Sequence, residues 1–115
     1  MKIISINKNR DFKKIYVRGK SFAETFLVMY FIKNNLKINR LGITVSKKIG
    51  NSVKRNRVKR RIKAVYILNS NNIKVGYDIV LIGRNKTNTA KFSEIEKCFW
   101  HILKRNNLFL EKMVN

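Results

Sequence analysis

Two rhythms of apolar residues run along the chain, one with the period of a strand and one with the period of a helix. Residues 26–33 are apolar at nearly every position, which predicts a strand covered on both faces, with Val28, Tyr30 and Ile32 on one side and Leu27, Met29 and Phe31 on the other. Residues 34–39 read as a hairpin connection and residues 40–46 as the returning strand, while residues 77–83 predict a further central strand. Helical spacing appears three times. Phe12, Ile15 and Tyr16 mark a short first helix that ends before Gly19, with Asp11 near its start. Val58, Ile62 and Val65 make a narrow stripe on a second helix opening at Asn51 or Ser52, just after Gly50 lets the chain turn. Ile95, Phe99, Ile102 and Leu103 line a third, introduced by the capping-box pattern Ser93-x-x-Glu96. Residues 69–75 and 84–92 are polar connections, and residues 1–8 read as a flexible basic arm.

These elements predict an α+β fold: one two-layer domain over residues 1–115, in the order α-β-β-(β)-α-β-α, around a mixed sheet. A strand, the second helix and another strand in succession imply a parallel pair, for which a right-handed crossover is the general rule.

Charge changes the picture from a generic small domain to a binder of polyanions. The chain carries 27 Lys and Arg against six carboxylates, a formal charge of +21. No acid occurs between Glu24 and Asp78, and nine of the cations crowd into residues 47–63. Asn56, Arg60 and Lys63 repeat the helical spacing opposite the apolar stripe, so one face packs and the other is free to bind. Candidate catalytic chemistry is sparse: one histidine, no clustered carboxylates and no Gly-rich phosphate loop leave little with which to cut a phosphodiester bond. Cys98 stands alone, which excludes an internal disulfide and fits a reducing cytoplasm; with His101 it lacks the companions a metal site needs. The longest apolar run is too short to cross a bilayer, the N-terminus has no secretory pattern, and no membrane role is expected.

The run Ser46-Lys47-Lys48-Ile49-Gly50-Asn51-x-Val53-x-Arg55-Asn56-Arg57-x-Lys59-Arg60 closely resembles the signature of the bacterial ribonuclease P protein component, with Arg55-Asn56-Arg57 as its core. The resemblance extends along most of the chain. It implies a left-handed crossover, and a protein subunit that grips RNA while a catalytic RNA, using magnesium, hydrolyses the 5′ leader from precursor tRNA. No tightly bound cofactor and no obligate protein partner are implied for the polypeptide. Two surfaces follow from the likeness. Lys47, Lys48, Arg55, Asn56, Arg57, Lys59, Arg60 and Lys63 would lie against the catalytic RNA, where planar guanidinium groups suit phosphates. Phe12, Tyr16, Val28, Tyr30 and Lys48 would line a groove for the single-stranded leader, although Phe12 and Tyr16, at i and i+4, read equally well as core. Asn56, neutral among cations, suits a directed hydrogen bond or a hydrated-metal contact, the plain alternative being a helix-surface asparagine. Lys63 stands where the family commonly has arginine, Ser52 where it has alanine, Arg61 where an apolar residue is frequent, and Tyr16 where phenylalanine is frequent. The competing reading is a non-catalytic basic module of ribosomal or DNA-binding type.

Overall fold

The structure is a computed structural model that describes residues 3–110. In chain order the elements are β1 (Ile4–Ser5), α1 (Asn9–Arg18), β2 (Lys20–Ala23), β3 (Leu27–Lys33), β4 (Arg40–Val45), α2 (Ser52–Asn69), β5 (Tyr77–Gly83) and α3 (Phe92–Arg105). Short 3-10 turns occupy Lys47–Ile49, Ser70–Asn72 and Asn85–Asn88. One mixed sheet of five strands runs β1-β4-β5-β3-β2. The three predicted helices and the α+β class are all present, and β4 and β5 form the expected parallel pair joined through α2.

The hairpin expected between β3 and β4 does not exist. Both strands pair with β5 instead, β3 antiparallel and β4 parallel, so β5 lies between them. Its sequence explains the position: Ile79, Val80 and Leu81 are fully buried, and a strand apolar on both faces gains most from the centre of a sheet. The β3–β4 loop therefore spans the start of β5 and hydrogen-bonds to it. Asn34 donates its backbone N–H to the Gly76 carbonyl (2.9 Å), and the Asn39 side-chain oxygen accepts from the Tyr77 N–H (2.9 Å).

Four further boundaries differ from the pattern read in the sequence. Residues 4–5 of the expected arm pair in parallel with β4, and Ile6 is buried after donating its N–H to the Leu41 carbonyl (2.9 Å). β2, with Phe22 as its one large apolar residue, pairs antiparallel with β3 although its own sequence has little strand pattern. Lys47 and Lys48 stand in a 3-10 turn beyond β4, not on the strand itself, because Ser46 Oγ accepts the Lys48 N–H and turns the chain. α3 starts two residues early: Glu94, not Glu96, reaches back to the N–H of Lys91 (2.9 Å).

Most of the core lies between the sheet and the pair α2 and α3. Val58, Ile62 and Val65 bury their stripe against Leu27, Met29, Ile79 and Leu81, with Phe99 and Ile102 from α3 closing the layer. Close approach is required at Gly83, where a Cβ would stand 2.9 Å from Val58 Cγ1 and 3.2 Å from Ile62 Cδ1. A smaller cluster on the opposite face, with Ile6, Ile15 and Val80 at its centre, seats α1 against the sheet. Because α1 covers only part of that face, Val28, Tyr30 and Ile32 are half-buried, and β3 is not sealed on both sides as its composition suggested.

Candidate nucleic-acid interface

The chain stops its strand, turns and starts α2 through local hydrogen bonds that sequence chemistry dictates. Asn51 caps the helix, its side-chain oxygen accepting the Lys54 N–H at 3.0 Å. Burial of Val58, Ile62 and Val65 then fixes which side of α2 faces outward. Asn56, Lys59, Arg60 and Lys63 are exposed, and among the described residues their side chains make no hydrogen bond or ion pair. Arg55 Nη2 donates to Ser52 Oγ (3.3 Å), while its Nε is buried without a partner. Arg57 is held sideways, its Nη2 donating to Asn88 Oδ1 at 2.9 Å.

Arg61 departs from its neighbours. Its guanidinium turns back into the protein and donates to the carbonyls of Thr87 and Ala90, fastening the Asn85–Asn88 turn to α2. That turn is held from beneath as well, since Thr87 is fully buried and its hydroxyl donates to the Phe26 carbonyl at 2.5 Å. One of the nine cations is thus a structural clamp.

On the other face, α1 crosses from β4 to β3 and leaves the far end of the sheet uncovered. Phe12 lies over Gly42, where a Cβ would come within 2.6 Å of the ring. Tyr16 meets Tyr30 edge to face at 5.0 Å between centroids, and Phe12 stands 6.3 Å from Tyr16. Tyr16 is 39% exposed, so its ring is a wall of the groove and not a core residue. Register adds two residues that pattern alone did not reveal: Val28 lies opposite Ile82, and Ile82 opposite Thr44, so these three form the open floor. The β5 insertion hid them, because a β3–β4 hairpin would have put different neighbours beside Val28. Lys48 stands three residues past the end of β4, at the Val28 end of the groove.

Two features join these surfaces. A concavity of about 290 Å³ at the β1–β4 edge is lined by Phe12 and Gly42 on one side and by Lys59, Arg60 and Lys63 on the other. Beneath α1, Asp78 is 5% exposed and carries a bidentate contact from Arg40 (Nε to Oδ1 2.8 Å, Nη2 to Oδ2 2.5 Å), with Asn34 donating to Oδ1 at 2.9 Å. Burial pushes the Asp78 carboxyl up, but the hydrogen bonds from Arg40 and Asn34 and the charges of Arg40 and Lys14 outweigh it and hold it below its usual range. Arg40 also faces Asp11 of α1 at 3.8 Å, tying the groove wall to the sheet. Metal chemistry has no comparable frame. Among the described residues no group of three or more His, Cys, Asp or Glu comes together, and Asn56 has no carboxylate beside it, a poor donor set for direct magnesium ligation.

The Ribonuclease P family profile matches residues 2–107. The chain belongs to the ribonuclease P protein component family. The protein component from Clostridium botulinum (strain Langeland) is 48% identical over 110 residues, covering 95% of this chain and 99% of that relative. The one from Clostridioides difficile is 46% identical over 104 residues, 90% of this chain and 91% of its own. Among solved structures, the Staphylococcus aureus RNase P protein aligns with a TM-score of 0.83 at 37% identity, covering 94% of this chain and 99% of that one. The Thermotoga maritima protein aligns at 0.81 and 33% identity, covering 88% and 96%. The chain is therefore a protein subunit of ribonuclease P, a component of a tRNA-processing ribonucleoprotein that partners the ribonuclease P RNA. A ribosomal-type or DNA-binding module is not favoured. No helix among the described residues is long and apolar enough to cross a membrane.

Proposed function

We propose that this subunit binds two RNA elements at once while the RNA partner performs the hydrolysis. The exposed face of α2, with Lys47, Lys48, Arg55, Asn56, Arg57, Lys59, Arg60 and Lys63, holds the catalytic RNA. The groove of Phe12, Tyr16, Val28, Tyr30 and Lys48, floored also by Ile82 and Thr44, receives the single-stranded 5′ leader of precursor tRNA. The observation that carries this reading is the shared concavity at the β1–β4 edge, which brings Phe12 of the groove against Lys59, Arg60 and Lys63 of α2. A strand leaving a cleavage centre docked on α2 can pass directly onto the aromatic rings. Stacking there contributes about 1–3 kcal/mol per base and tolerates any sequence, which suits leaders that differ from one tRNA to the next.

Magnesium in this scheme belongs to the RNA, and Asn56 reaches at most the water shell of an ion the RNA holds. The polypeptide contributes binding and orientation, works in the cytoplasm, and needs no other protein. The test is reconstitution with a bacterial ribonuclease P RNA: the chain should lower the magnesium needed for cleavage and bind precursor tRNA more tightly than mature tRNA. Tyr30→Ala should reduce that preference without weakening attachment to the catalytic RNA. Equal affinity for the two tRNAs, or cleavage by the polypeptide alone, overturns the proposal.

A further inference from the structure

One face of α1 lines the groove, and the opposite face turns outward. α1 carries four cations, Arg10, Lys13, Lys14 and Arg18, at i, i+3, i+4 and i+8, and with 3.6 residues per turn these ride on the side turned away from the sheet. Val17, 73% exposed, lies among them. The acid of the helix, Asp11, is directed to Arg40 and does not neutralise this ridge. Among the described residues Arg10, Lys13 and Arg18 make no hydrogen bond or ion pair, whereas Lys14 lends its charge to Asp78. Lys13 follows Phe12 by one residue and precedes Tyr16 by three, so it rises from the rim of the groove.

We propose that this ridge is a third RNA-binding surface, which takes the phosphates of the distal part of the leader after the strand has passed Tyr16 and Tyr30. The inference rests on the leader reading given under Proposed function. Geometry favours the leader over the catalytic RNA as occupant. The ridge is on the sheet face opposite α2 and is contiguous with the aromatic groove through Lys13. A strand entering beside Phe12 and leaving beside Tyr16 emerges at the end of α1, where Arg18 and the exposed Lys20 of β2 stand. The contact is with backbone phosphates, so it depends on leader length and not on leader sequence.

The experiment uses the reconstituted holoenzyme and precursor tRNAs whose leaders are about four and about twelve nucleotides long, a range that spans single-strand site sizes. Arg10→Gln/Lys13→Gln/Arg18→Gln removes three cations, keeps Lys14, and places a good helix former at each position. Each single-strand phosphate contact contributes about 0.7 to the slope of log affinity against log salt, so the variant should lose about 2 from that slope on the long leader. The gap between parent and variant should then narrow roughly fifteenfold between 50 and 200 mM salt. Binding of the short leader should be unchanged. Val17→Lys, which adds a cation to the ridge, should tighten the long leader alone, and it keeps the test available if the triple variant folds poorly. An unchanged slope on the long leader overturns the inference, as does an equal loss on both leaders, which would assign the ridge to another part of the complex. If the parent holoenzyme itself shows no preference for precursor over mature tRNA, the leader reading has failed and the ridge falls with it.

Discussion

Arg40→Met removes the cation that neutralises Asp78 while keeping most of the aliphatic stem in place. The carboxylate left behind is 5% exposed and retains one hydrogen bond of 2.9 Å, from Asn34. Breaking a buried pair from one side costs about 3–5 kcal/mol, and the lower end applies because Arg40 is 27% exposed and water reaches one side of the contact. About 3 kcal/mol in a domain of this size lowers the melting temperature by roughly 12 °C. The loss should depend on pH with a defined sign. In the parent the folded-state carboxyl of Asp78 is held below its usual value, so its contribution is present above the unfolded value and is lost as pH falls through the folded one. In the variant both Arg40 contributions are gone and burial is opposed only by Asn34 and Lys14, so the carboxyl should rise from its parent position and protonation should relieve part of the loss. Thermal or urea unfolding of both proteins from pH 7 down to pH 3 should therefore show a deficit that shrinks as the solution becomes acidic. The large positive charge penalises both proteins on acidification and nearly cancels in the difference, because the variant lacks only one of the 27 Lys and Arg. A companion variant, Arg40→Met/Asp78→Leu, should recover much of the loss, since the buried carboxylate goes with its cation and the remaining partner, Asp11, is 26% exposed to water. A deficit that stays constant over the whole pH range, or a double variant no better than the single, would refute the reasoning.

The adjacent cations Arg60 and Arg61 should separate cleanly. Arg60→Gln should lower the salt slope for binding the catalytic RNA by about 0.7–0.9 with little change in stability, whereas Arg61→Gln should leave the slope alone and cost about 1–3 kcal/mol, because the Ala90 carbonyl loses the guanidinium and the Thr87 carbonyl keeps only the Ala90 N–H; the reverse pattern in filter binding and melting would sink the assignment. Sulfate should raise the melting temperature more than chloride at equal ionic strength, because a multivalent anion bound preferentially to the folded cation cluster stabilises it by mass action. Identical melting curves in the two salts would remove that prediction.

Elements whose signal is local were legible from residue order. The α2 stripe at Val58, Ile62 and Val65, the core face of α3 and the alternation along β3 each follow from a backbone period acting on neighbours a few residues apart; the two helix faces are buried where expected, while on β3 Leu27, Met29 and Phe31 are buried and Val28, Tyr30 and Ile32 stay half-buried. The cap at Asn51 is also where expected. β2 was invisible for the complementary reason: with Phe22 as its only large apolar side chain, residues 20–23 have no alternation of their own and become a strand by pairing with β3. The shift of the α3 capping box from Glu96 to Glu94 is a competition between two acids two residues apart, decided by which one reaches a free N–H.

Partners distant in the chain are a different matter, because charge and periodicity say what a residue is and not what it will meet. Residue order alone established a polycationic α+β protein with one face of a basic helix held outward. It could not reveal that β5 enters between β3 and β4, and with that insertion came the groove floor of Val28, Ile82 and Thr44 and the burial of Asp78 beneath α1. Nor could it distinguish Arg60, which faces solvent, from Arg61, which holds the Asn85–Asn88 turn. Both outcomes depend on long-range pairing, in which a strand apolar on both faces gains most from the centre of the sheet.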